Sequence, residues 1–114
     1  EEGREEFLRW ADEPIALEKP RDPALVKMFF FHYASEERRI ELVEEYVREI
    51  EAVEANLRRF QRMNRDHLET NEELRSDPRV RSRLDTLDFG ADYYAFLKGW
   101  YGNYLRRWRE GTEP

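Results

Sequence analysis

The chain has 114 residues, 40% of them charged, a net charge of −6 and no cysteine. That length allows one domain with a modest core, the missing thiols exclude disulfides and thiolate metal sites, and the acidic balance argues against a surface built for phosphate backbones. Aromatic residues reach 14% and cluster at residues 29–33 and 89–108, as in a chain with a buried core or an interface.

The first residues, Glu1-Glu2-Gly3-Arg4-Glu5-Glu6, are not a secretory leader, and no apolar run approaches the ~20 residues of a membrane span. A cytoplasmic protein with no membrane partner is expected, and a start inside a helical pattern suggests a fragment of something larger. Phe7, Leu8 and Trp10 among charges predict a short amphipathic helix over residues 4–11. It ends before Pro14, because a residue preceding proline avoids the α region. Three prolines, at 14, 20 and 23, then make residues 14–23 a stiff connector.

Asp22-Pro23 is a cap followed by proline at the first helical position, where a missing N–H costs nothing. The helix it starts is predicted over residues 23–34. With only Lys27 and His32 as polar interruptions it reads as buried on all sides. Ser35 then caps a long helix, predicted without a break to about residue 75, a rod of roughly 60 Å at ~1.5 Å per residue. Its seam runs through Ile40, Val43, Val47, Ile50, Val53, Leu57 and Phe60 and turns polar at Asn64, His67 and Asn71. Polar seam positions fix register at a cost in stability or mark a helix end that has left the core. The rod is acidic from Glu36 to Glu54 and basic from Arg58 to Arg65, so an antiparallel second copy would match opposite charges. Glu44 with Arg48 and Glu54 with Arg58 are candidate pairs within the helix.

Asp77-Pro78 announces the last helix, predicted over residues 78–109 with Gly111 as its stop. One stripe reads Val80, Leu84, Leu87, Tyr94, Leu97, Tyr101, Leu105 and Trp108, and a second reads Phe89, Tyr93, Phe96, Trp100 and Tyr104. Gly90, Gly99 and Gly102 lie within this helix, each at roughly 1 kcal/mol relative to alanine. Close approach of another segment is the expected compensation, with Phe29, Phe30 and Phe31 as candidates. A helix apolar on nearly every side asks for more cover than the rest of the chain supplies.

The all-α fold expected is therefore an open antiparallel bundle completed by dimerisation, with a junction at residues 1–21 and the helical domain at 22–114. The homodimer interface is placed on Ile40, Val43, Val47, Ile50, Leu57 and Phe60 of the long helix. On the last helix it takes Tyr94, Leu97, Trp100, Tyr101, Tyr104, Leu105 and Trp108. A candidate pocket for a small aromatic ligand takes Phe30, His32, Tyr93, Tyr94, Trp100 and Tyr101. Catalytic motifs are lacking: there is no H-E-x-x-H, Glu-x-x-His pair, glycine-rich phosphate loop or Ser-x-x-Lys. No enzyme, metal or cofactor is expected. His67 with Asp66 and Glu69 could be drawn as a metal site, but neighbours in a helix face different ways.

Two functions from different classes fit these features: the dimerisation module of a larger regulator, or a free-standing helical adaptor that offers its rod to another protein. The order Gly3-Arg4-Glu5-Glu6-Phe7-Leu8-Arg9-Trp10, Glu13-Pro14 and Asp22-Pro23-Ala24-Leu25-Val26-Lys27-Met28-Phe29-Phe30 resembles the junction and C-terminal region of PadR-family transcriptional regulators. The resemblance is to the type sharing the virulence activator alpha C-terminal domain. Leu87-Asp88-Phe89-Gly90 is similar to that family's leucine-x-x-glycine, and Trp100 falls where a tryptophan commonly lies. Gly99, Gly102 and Arg48-Glu49 depart from its pattern. The resemblance implies the effector and dimerisation half of a bacterial repressor, touching operator DNA only through a winged helix absent from these residues. It also implies a flat aromatic inducer in some relatives.

Overall fold

The computed structural model describes residues 1–18 and 21–111, all of the assigned elements among them helical. Two compact units divide between His32 and Tyr33.

In the first unit, α1 spans Glu2–Asp12. It closes where Glu13 turns extended ahead of Pro14, its N–H donating to the Trp10 carbonyl. No residue of α1 is buried, and Phe7 and Trp10 lie against each other on its surface with ring centroids 5.9 Å apart. Of the connector, Lys19 and Pro20 fall outside the described residues. Helix α2, Pro23–Phe29, begins as its sequence dictates, with the Asp22 carboxylate accepting the Ala24 N–H at 2.9 Å.

Two expectations for this helix are corrected. It stops at Phe29 rather than residue 34, and a 3₁₀ turn, Phe31–Tyr33, follows. Consecutive aromatic side chains lose rotamer freedom against the preceding turn of an α-helix, and the Phe30 N–H bonds to Lys27, three residues back. Nor is the helix buried all round: no residue of α2 is buried, Phe29 and Phe30 are exposed, and Phe31 alone of the trio is covered.

In the second unit, Ser35 caps α3, Glu36–Thr70, its hydroxyl accepting the Arg38 N–H at 3.1 Å. The unbroken rod to residue 75 is also corrected. Asn71 is extended and separates α3 from the single turn of α4, Glu72–Arg75. Neither proline nor glycine makes this break. Thr70 turns its hydroxyl back to the His67 carbonyl at 3.0 Å, competing with the backbone ladder, and Glu72 and Glu73 favour a fresh N-terminus. After Asp77, which accepts the Arg79 N–H at 2.9 Å, α5 runs Pro78–Glu110 and ends on Gly111 in the left-handed region at φ 70°.

Helices α3 and α5 lie antiparallel. Tyr46 meets Tyr101, Glu54 meets Lys98, Arg58 meets Asp92 and Gln61 meets Asp88, so one chain number rises as the other falls. The core is the seam between them: Val43 and Ile50 from α3, Ala91, Leu97, Tyr101, Tyr104 and Leu105 from α5.

Candidate functional site

Much of the interface expected from the sequence is consumed inside the chain. Val43, Ile50, Leu97, Tyr101, Tyr104 and Leu105 are buried in this core. Ile40, Val47, Leu57 and Tyr94 are half-covered at its margins, and Phe60, Trp100 and Trp108 remain exposed.

The other aromatic stripe of α5 points away. Phe89, Tyr93, Phe96 and Trp100 are 71%, 40%, 63% and 40% exposed, whereas Ala91 between them is fully buried. Steps of four, three and four residues keep these rings on one side of the helix. Phe89 stacks on Tyr93 with centroids 6.0 Å apart, and Trp100 stacks on Tyr104 at the same distance. Beyond α5's own backbone, Gly99 and Gly102 have no heavy atom within 4 Å of where a Cβ would stand. Phe89 and Phe96 are absent from the expected interface. Their stripe was legible; that α3 would cover the neighbouring stripe was not.

The expected aromatic pocket is divided by the same geometry. Tyr93 and Trp100 are exposed, while Tyr94 is half-buried and Tyr101 buried. The rings of Tyr93 and Tyr94 meet edge to face at 5.3 Å, and those of Trp100 and Tyr101 at 5.0 Å. Phe30 and His32 belong to the first unit, where both are exposed and Phe30 packs edge-on to Phe29.

Opposite charges tie the hairpin along its length. Glu54, whose side chain is largely covered, holds Lys98 Nζ at 2.6 Å and its own helix's Arg58 at 3.7 Å. Glu44 reaches across to Arg109 rather than to Arg48. Near the Ser35 end, the Arg39 guanidinium lies 4.4 Å from the centre of the Trp108 ring, a cation held on an aromatic face. Burial pushes the neighbouring Tyr104 phenol above its ordinary range, against the opposing pull of Arg39 and Arg107.

At the other end, where α3, α4 and α5 meet, a cleft of about 320 Å³ opens. Its floor is aliphatic: Leu68, Leu74, Val80, Leu84 and Leu87. Asn64, His67 and Arg83 supply its polar rim. A second, shallower groove lies over Ala52, Val53, Ala55 and Asn56 on α3, beside Arg59 and Arg62. Among the described residues no group of three or more carboxylates and histidines could hold a metal ion, and no helix is long and apolar enough to cross a membrane.

The family model described as virulence activator alpha C-term matches residues 20–107. No curated protein and no solved structure matches the chain.

Proposed function

From the premise that this chain belongs to the virulence activator alpha C-terminal family, a family of regulator-associated helical domains, we propose that it is the dimerisation and effector half of a PadR-like bacterial transcriptional repressor. Operator DNA would be read by a winged-helix domain outside these residues, and pairing of two copies would set the spacing of two such readers. Sensing of a small aromatic inducer would belong to the same helical half. The observation that carries the reading is the exposed stripe Phe89, Tyr93, Phe96 and Trp100 on α5. Clustered rings left in water are the anchors that a protein partner buries.

Charge is the wrong sign for this domain to hold DNA by itself. At −6 overall, with the basic run of α3 confined to Arg58–Arg65, its balance opposes the phosphate neutralisation on which DNA affinity rests. Tight, sequence-selective retention of an operator fragment by these 114 residues would contradict the assignment of the reading to another domain.

Light scattering across a dilution series tests the pairing. A dimer is expected, and Phe96→Asp, at an exposed position, should retain the helix content while weakening association by on the order of 2 kcal/mol or more, some thirtyfold. Tyr101→Ala is the wrong probe, since that ring is buried in the chain's own core. A monomer of native helicity at high concentration would remove the basis of this reading.

A further inference from the structure

The geometry points to the cleft at the α3–α4–α5 end as a binding site for a small aliphatic carboxylate, a medium-length alkyl chain carrying one anionic group. Its volume of about 320 Å³ falls at the lower end of small-molecule sites, which pair an apolar lining with a few convergent polar groups.

Three features select the ligand. The floor holds leucine and valine side chains and no ring, a lining that suits a flexible alkyl chain. The rim holds one cation and no carboxylate, in a chain where acidic residues outnumber basic ones, 26 to 20. Finally, the first arginines of α5 are treated differently. Arg79 pairs with Asp77 and Arg81 with Asp85, but Arg83 has no ion pair or hydrogen bond among the described residues and lines the cleft. A guanidinium fork matches the two oxygens of a carboxylate. His67 adds an imidazole that likewise has no partner among the described residues and offers one N–H donor when neutral.

Position gives such a ligand a consequence. It would bridge the end of α3 to the first turns of α5 across the Asn71 break, where Leu68, Leu74, Val80, Leu84 and Leu87 are each half-covered.

Octanoate, kept below its micellar range, is the probe, titrated into the ¹⁵N-labelled full chain. Saturable shifts are expected at the amides of His67, Leu68, Leu74 and Leu84, with Phe96 and Trp100 unmoved. Octanol, the same chain without the charge, should bind at least tenfold more weakly. Arg83→Gln should lose a similar factor, and Arg83→Lys less. Equal binding of octanoate and octanol, or an unaltered affinity in Arg83→Gln, would overturn the assignment. So would shifts confined to the α5 stripe, or cleft amides that move on simple dilution of the unliganded protein, which would mean that a second copy covers the cleft.

Discussion

Tyr46 and Tyr101 meet edge to face across the α3–α5 seam, ring centroids 5.1 Å apart and planes at 86°. Tyr101 is 2% exposed, so the pair combines the burial of a large side chain with the favoured quadrupole geometry of two rings. Tyr101→Ala should destabilise the chain by about 3–5 kcal/mol in urea unfolding, the range for losing a buried aromatic. A double-mutant cycle with Tyr46→Leu should return a coupling of about 1 kcal/mol. Additive effects of the two substitutions would mean the rings are neighbours without being partners.

Asp77 is the next test, through acid. Its carboxylate accepts the Arg79 backbone N–H, and that bond, with the nearby Arg79 side chain, holds its pKa below the usual 3.8. A folded pKa lower than the unfolded one means the unfolded chain binds the extra proton first. The stabilisation is therefore present above the unfolded pKa and is lost as pH falls through the folded value. Melting temperature should drop more steeply below about pH 4 in the wild type than in Asp77→Asn, which retains a capping oxygen without the titration. Parallel acid limbs would remove Asp77 from the acid sensitivity of α5.

The alkaline side has its own reporter. Tyr104 titrates above 10.0 because burial disfavours the phenolate, while Arg39 and Arg107 pull the other way. Here the folded pKa is the higher one. Its contribution is intact below the unfolded pKa and disappears as pH rises through the folded pKa. Arg39→Gln removes one of the cations opposing that rise, so the Tyr104 transition in a phenolate absorbance titration should move to still higher pH. The same change lifts the guanidinium off Trp108, a contact worth about 1 kcal/mol. A Tyr104 transition at unchanged or lower pH would show that Arg39 does not govern it.

Helix starts and stops were legible because capping is local: Asp22-Pro23, Ser35, Asp77-Pro78 and Gly111 each act where the sequence puts them. Asn71 carries the same sequence signature, a cap-type residue before an acidic first turn in Thr70-Asn71-Glu72-Glu73, although its side chain makes no capping bond to α4. It is masked by the apolar spacing that continues through Leu68 and Leu74. The charge polarity of α3 finds partners within the chain. The acid-then-base order of α3 is repeated in α5, from Asp88 and Asp92 to Lys98 and Arg109, so the antiparallel fold sets opposite charges against each other inside one chain. The α5 stripes carried the same ambiguity. Periodicity separates Tyr94-Leu97-Tyr101-Leu105 from Phe89-Tyr93-Phe96-Trp100, but only the azimuth at which α3 docks decides which set is buried.

Gly99 and Gly102 separate folding from association. Each sits in mid-helix with open space where a methyl would go, so Gly99→Ala or Gly102→Ala should stabilise the isolated chain by about 0.5–1 kcal/mol through helix propensity alone. If a second chain packs closely beside the exposed Trp100, the added methyl group stands between two backbones. The expected result is then a split: a higher unfolding midpoint at dilutions where the chain is monomeric, together with a larger dimer dissociation constant at unchanged helix content. Calorimetry at low concentration and sedimentation equilibrium at high concentration read the two quantities independently. Gains in both folding and pairing would place the interchain contact elsewhere than on the glycine side of α5, and the Phe96–Trp100 edge would then have to pack alone.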